Sequence, residues 1–373
     1  MSRELAEAYR SRVRGSLLGG AIGDALGGPV EFQNVAKILA DHGDDGVRRF
    51  VAYPDGAPPG TVTDDTQMTL FTAFGLIRAG LRRDRGLGLT VSVVHAAYDD
   101  WLDTQLRPGP VGAAPWLLRH QWLYAQRAPG RTCLDALLAA RAGQARIPQY
   151  GGMAANDSKG CGGVMRVAPI GLLPPDGAVD DWFFDAGADA AGYTHGHPTG
   201  RLAAGALAVI VHRLVAGDDL DTALDLTLAV LAQRNDHRET STALRAARLL
   251  ARDAAPSVAG VESLGGGWVA EEALAIAVYA ALTSPGPDQV LASLSTAVTH
   301  SGDSDSTGSI CGNILGAWHG ETALPPELVF AVEGRGTILE IADDLVLEFT
   351  VPGLLHGEYG PHTGWRERHT GSR

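Results

Sequence analysis

Apolar residues recur at spacings of three and four through most of this chain, and the spacing predicts helices near 4–27, 67–83, 91–105, 112–126, 131–142, 200–216, 220–233, 238–253, 269–282, 286–298 and 307–318. Met68, Leu70, Phe71, Phe74, Leu76 and Ile77 give one such stripe. Breakers such as RPGP (107–110), PSVAG (256–260) and TSPGP (283–287) fall between the segments. Alanine and leucine dominate the apolar set and alternating Val/Ile/Thr runs are scarce, which favours helices over sheets. No long low-complexity linker and no fixed-period repeat interrupts the pattern. The expected architecture is a single all-α domain over residues 1–373, with its core at about 10–350. ILEIADDLVLEFTVPG (338–353) closes it, and HTGSR (369–373) reads as a frayed tail.

One apolar segment is a poor helix on propensity alone. GSLLGGAIGDALGGPVEF (15–32) holds Gly15, Gly19, Gly20, Gly23 and Gly27, each costing roughly 1 kcal/mol relative to alanine in an exposed helix. Four of them are spaced by four and share one face, so another backbone can approach closely there. Asp24 and Glu31 end this segment, and carboxylates in so apolar a setting need partners.

Composition narrows the partners. With 45% apolar and 20% charged residues the chain has ample material for a core. A net charge of −13 argues against a nucleic-acid backbone as partner. Cys133, Cys161 and Cys311 are far apart and form no CxxC pair, as expected in a reducing compartment. The first fifteen residues lack the apolar stretch of a signal peptide, and LAAGALAVIV (202–211) is too short to span a bilayer. A cytoplasmic protein that engages no membrane is the expectation.

The candidate chemistry lies in two acidic clusters. TVTDDTQMTL (61–70) sets Asp64 and Asp65 side by side between Thr63 and Thr66 at a helix start. THSGDSDSTGSICGNILGA (299–317) sets Asp303 and Asp305 among Ser304, Ser306 and Thr307 at another. Either cluster alone reads as helix capping assisted by the macrodipole. Both together carry redundant carboxylates, and four negative charges brought close would require a cation. A set of hard oxygen donors suits Mg²⁺ or Mn²⁺ rather than zinc.

In this order, GSLLGGAIGDALGGPVEF (15–32), TDDTQMTL (63–70), SKGCGGVMRVAPIGLL (158–173), THGHPTG (194–200) and HSGDSDSTGSICGNILGA (300–317) make the chain strongly resemble the ADP-ribosylglycohydrolase family. The resemblance implies an orthogonal all-α fold with a two-metal centre, Mg²⁺ or Mn²⁺, at a cleft. It implies ligation by Thr63, Asp64 and Asp65 from one side and by Asp303, Asp305 and Ser306 from the other, serine standing where the family often has threonine. Glu31 matches a glutamate assigned to acid/base chemistry or gating. The loop Gly160, Cys161, Gly162, Gly163, Val164 and Met165 matches the one that receives the diphosphate and distal ribose of ADP-ribose, with Cys161 where many members have asparagine. His195 matches a histidine near the ligand. The residues themselves also allow a plain glycine-rich turn with structural Met165 and Arg166, and His197 reads as a helix-start residue.

The implied reaction is hydrolysis of a glycosidic bond between ADP-ribose and a protein arginine, a protein serine or a small molecule, through an oxocarbenium-like transition state. Metals would orient the ribose hydroxyls and acidify the attacking water, with Glu31 or Asp65 as base. The same donors fit a two-metal phosphohydrolase of ADP-ribose-like nucleotides, or an ADP-ribose binder without turnover. Loops 103–115, 143–160 and 255–268 are the candidates for acceptor choice.

Overall fold

The computed structural model describes residues 3–89, 91–143, 153–175, 179–253, 255–351, 356–357 and 360–371. Its first half runs α1 (Arg3–Gly27), α2 (Val35–His42), α3 (Asp64–Arg82), α4 (Ser92–Leu106), α5 (Arg131–Arg141), α6 (Ala168–Gly171), α7 (Asp180–Gly192) and α8 (Pro198–Ala216). There follow α9 (Leu220–Leu231), α10 (Arg238–Asp253), α11 (Val258–Ser263), α12 (Ala270–Thr283) and α13 (Val290–Val298). The described part ends with α14 (Ser304–His319), α15 (Pro326–Ala331), α16 (Arg335–Thr350) and α17 (Thr363–Thr370). The architecture is all-α. Among the described residues the extended pairings are a two-residue hairpin (His356–Gly357 with Gly360–Pro361) and the isolated bridge Gly160–Val269.

The glycine stripe of α1 sets the axis of the fold. Gly15 faces Gly316, Gly19 faces Gly312, Gly23 faces Gly308 and Gly27 faces Ser304, so α1 and α14 run antiparallel in backbone contact. A methyl on Gly15 would lie 2.6 Å from the carbonyl oxygen of Gly316, and one on Gly23 would overlap that of Gly308. Helices normally pack 8–10 Å apart because side chains intervene; here there are none to intervene. Ser16 and Asn313 lock the register, with Ser16 Oγ donating to Asn313 O (3.0 Å) and Asn313 Nδ2 to Ser16 O (2.8 Å). The antiparallel register brings the C-terminal end of α1 to the N-terminal end of α14. Glu31 and the Asp303–Asp305 cluster are thereby placed together.

Around this pair lie helices that are apolar nearly all round and accordingly buried, as the periodicity of a core helix requires. α12 buries Ala270 through Ala281 apart from Glu272, and α8 buries most of its length. α8 is long and apolar enough to cross a membrane by composition, and 83% of its apolar window is buried within the protein.

Several segments depart from the periodicity. The helix expected over 112–126 is instead two 3₁₀ turns, Trp116–Arg119 and Gln121–Tyr124. His120 between them is extended (φ −83°, ψ 111°), and Trp116 packs edge-on against His120 at 5.0 Å and beneath Arg368 at 4.2 Å. Packing against α17 overrides local propensity there. Helices α2, α6, α7, α11, α15, α16 and α17 go beyond the pattern read from sequence, and α11 begins within the stretch PSVAG read as a breaker. The tail expected to fray begins with the last residues of α17: His369 is fully buried, and its carbonyl accepts from Arg78 Nε at 2.8 Å. Residues 372–373 of that tail and 144–152 of the loop 143–160 lie outside the described residues.

Candidate metal centre

Asp24 lies in the last turn of α1 and is fully buried. Its carboxylate accepts from the Thr63 amide (3.0 Å), the Thr66 amide (3.1 Å) and Thr66 Oγ1 (2.5 Å). Thr63 Oγ1 accepts from the Asp65 amide at 3.3 Å as the helix cap. The orphan amides at the start of α3 are thus served by Asp24 and Thr63, and the Asp64 and Asp65 carboxylates are left over from capping. Asp64 Oδ2 accepts from the Gly130 amide at 3.2 Å. Asp65 is 2% exposed, and its Oδ1 has no hydrogen-bond partner. A buried carboxylate oxygen without a donor is costly and calls for a cation.

On the facing side, Asp303 and Asp305 open α14. The Asp303 amide donates to Gly266 O (2.9 Å), Asp303 Oδ2 accepts from Cys161 Sγ (2.7 Å), and Asp305 Oδ1 accepts from the Ser306 amide (2.9 Å). Ser306 is buried and its hydroxyl lies 3.7 Å from Met165 Sδ. Glu31 follows a 3₁₀ turn at the end of α1, half-buried, and one oxygen from each of Glu31, Asp303 and Asp305 lies within 4.8 Å of the others. Six carboxylates (Asp24, Glu31, Asp64, Asp65, Asp303, Asp305) therefore gather at the junction of α1, α3 and α14. Among the described residues none of them makes an ion pair.

The electrostatics follow from that crowding. Burial, with Asp303, Asp64 and Asp24 adding repulsion, pushes Glu31 up to about 8. Burial holds Asp64 at about 8 although the Gly130 amide opposes the rise. Asp65 and Asp305 stand well above the ordinary carboxylate range, through burial and then through Asp64 and Asp65 respectively. Asp24, better supplied with donors, rises only to about 6. Neutralisation by protons or by a cation is the alternative each of these groups faces, and an all-oxygen donor set with an orphaned Asp65 oxygen fits a divalent ion.

The glycine loop borders this cluster. Its amides do not all converge on one point: Gly160 donates to Ser158 Oγ (3.3 Å), Cys161 to Trp268 O (3.2 Å), and Val164 and Met165 both to Cys161 O (2.9 and 3.1 Å). Gly162 and Gly163 lie in the 3₁₀ turn Cys161–Gly163 at its tip. Val164 and Met165 are core residues. Arg166 is fully buried; it donates to the Gly162 carbonyl, to Ala190 O (3.1 Å) and to Thr194 Oγ1 (2.7 Å), and stacks on Tyr98. His195, 2% exposed, packs beneath Gly160 and Gly162 and pairs through Nδ1 with Thr194 Oγ1 at 2.8 Å. Burial, then the Arg166 charge, pushes it down to about 3, so it is a neutral support for the loop. His197 Nδ1 accepts from the Thr199 amide and caps α8.

Two features escaped the sequence reading. From the sequence Asp24 reads only as a carboxylate in want of a partner, because its partners, the Thr63 and Thr66 amides and the Thr66 hydroxyl, lie about forty positions away. Phe32, next to Glu31, sits at φ +65° with its ring 75% exposed and stacked on Trp268 at 5.3 Å, beside the acidic cluster. No residue type signals a left-handed phenylalanine.

The chain matches known proteins over most of its length. The family model for ADP-ribosylglycohydrolase matches residues 5–354. The chain is 25% identical over 328 residues to the ADP-ribosyl-[dinitrogen reductase] glycohydrolase of Rhodospirillum rubrum, covering 85% of this chain and 89% of that one. It is 27% identical over 338 residues to the uncharacterised protein YegU of Escherichia coli K12, covering 85% and 90%. A solved structure described as an ADP-ribosylglycohydrolase-related protein complex shares the fold, with a TM-score of 0.65 at 22% identity, covering 92% of this chain and all of that one.

Proposed function

Because this chain belongs to the ADP-ribosylglycohydrolase family, we propose that it hydrolyses the glycosidic bond between ADP-ribose and an acceptor, in a reaction that depends on two divalent ions, Mg²⁺ or Mn²⁺. The acceptor is a protein arginine, a protein serine or a small molecule. The observation that carries the metal requirement is the group of six buried or half-buried carboxylates, to none of which a cationic side chain is paired among the described residues. Asp64 and Asp65 with Thr63 would hold the ions from α3, and Asp303, Asp305 and Ser306 would hold them from α14. When bound, the ions supply positive charge that orients the ribose hydroxyls and makes water a better nucleophile near neutral pH.

The chain's own residues supply the rest. Glu31 is the better placed of the two candidate bases. It is half-buried and can pass a proton to solvent, whereas Asp65 is sealed at 2% exposure. Glycines at 160, 162 and 163 let the diphosphate come close to the loop backbone, with Cys161 alongside. Arg166 and His195 hold that loop from below and act on the ligand through it. Phe32, next to Glu31, stacks on Trp268, and the pair would shield the reacting bond from bulk water.

Product analysis tests this reading. Incubation with an ADP-ribosylated peptide should release intact ADP-ribose; AMP with the ribose phosphate left on the peptide would instead identify a phosphohydrolase.

A further inference from the structure

Among the described residues, Cys161 brings a thiol to the acidic centre. Its Sγ lies 2.7 Å from Oδ2 of Asp303, a residue of the Glu31–Asp303–Asp305 group whose carboxylates converge. The backbone holds it there: the Cys161 amide donates to Trp268 O at 3.2 Å, beside the Gly160–Val269 bridge. Asp65, at the start of α3, keeps a buried Oδ1 without a hydrogen-bond partner. The Cys161 sulfur is joined to the converging carboxylates through Asp303. The other two thiols stand apart: Cys133 packs under Gly162 against Arg166, and Cys311 is buried within α14.

Oxygen-only centres favour hard ions, whereas one thiolate shifts affinity toward Zn²⁺ and Cd²⁺. We infer that Cys161 and Asp303 form a mixed sulfur–oxygen donor pair at the edge of this centre, which takes a thiophilic divalent cation in competition with Mg²⁺ or Mn²⁺. The inference rests on reading the acidic group as a metal centre. On binding, the S–H bond breaks heterolytically, its electron pair becomes the donor to the ion, and the proton leaves to solvent. Zinc is then an inhibitor that displaces the hard ion, and Cys161 is the residue that sets this sensitivity.

The test uses the full chain stripped with EDTA and desalted, titrated with Cd²⁺ alone and, separately, with Mn²⁺. The wild-type protein should develop a saturable sulfur-to-cadmium charge-transfer band in the ultraviolet. Cys161→Ser should lose the band, and its ratio of Cd²⁺ to Mn²⁺ affinity should fall by about tenfold or more. Cys161→Ala, checked for an unchanged melting temperature, should do the same, and a Cys133→Ser/Cys311→Ser double variant should keep the band. A band that survives in Cys161→Ser overturns the inference, as does a wild-type protein that binds Mn²⁺ but shows no band. Failure to bind either ion overturns the metal-centre reading along with it.

Discussion

The Asp24 carboxylate caps α3 from outside by accepting both the amide and the hydroxyl of Thr66, at 3.1 and 2.5 Å. A third bond, from the Thr63 amide, completes the cap at 3.0 Å. This explains the two adjacent carboxylates at the start of α3. They are not needed to end the helix, since another helix does that, and they remain available as donors.

Replacing Asp24 should therefore damage the centre without touching a ligand. Asp24→Ala removes three hydrogen bonds to a charged acceptor and is expected to cost about 3 kcal/mol or more, each such bond being worth roughly 1.5–3 kcal/mol before relaxation. Asp24→Asn should cost less in stability yet weaken Mn²⁺ binding by about 10- to 100-fold, the usual effect of losing a group that orients ligands. Urea denaturation and calorimetric Mn²⁺ titration measure the two effects.

The α1–α14 contact makes an opposite prediction to helix propensity. Gly23→Ala in a free helix would be stabilising by about 1 kcal/mol. Here the new methyl overlaps the Gly308 carbonyl, and the two backbones must separate. A loss of about 3 kcal/mol is expected, at the upper end of overpacking. Because α1 and α14 together position Glu31 and Asp303, the same variant should also bind Mn²⁺ more weakly. Gly336→Ala, in α16 with nothing within 4 Å of the added methyl, is the matched control and should stabilise by up to about 1 kcal/mol.

Much of this was legible in the sequence for physical reasons. Glycines four apart announce a close backbone approach, and α14 supplies it with its own glycines at 308, 312 and 316. The two acidic clusters announce themselves by carrying more carboxylates than caps require. What stayed hidden depends on tertiary contacts. The Trp116–Arg119 and Gln121–Tyr124 turns carry a helical pattern that packing against Arg368 breaks. Cys161 looked like one residue of an anion-binding loop, and only the fold places its sulfur on Asp303. The loop amides that donate within the protein show that glycine content alone overstates an anion nest.

Stability should depend on pH in a way that a divalent ion reverses. Glu31 rises from the usual 4.5, and Asp64 from the usual 3.8, to about 8 each in the metal-free fold. Between those values the folded protein binds protons that the unfolded chain has released. Their contribution to stability is complete below the unfolded values and is lost as pH rises toward 8. A cation needs the deprotonated carboxylates, so its stabilisation grows over the same range. The melting-temperature gain from Mn²⁺ over EDTA should be larger at about pH 8 than at about pH 5; a gain that is flat or falls with pH would contradict this.

Glu31→Gln keeps the shape of the side chain and removes its basicity. Turnover should fall by at least about a hundredfold, as expected for loss of a general base, while ADP-ribose affinity stays within about threefold. Near-normal turnover would pass the role to Asp65.

The most direct test of the central claim is release of free ADP-ribose from ADP-ribosyl-arginine and ADP-ribosyl-serine peptides, with Mg²⁺ or Mn²⁺ and again with EDTA. Metal-dependent release from one of the two is the predicted result, and it fixes the linkage class at the same time. Binding of ADP-ribose without release from either peptide, at any metal concentration, would contradict hydrolysis of protein-linked ADP-ribose and leave a small-molecule substrate or a binding role.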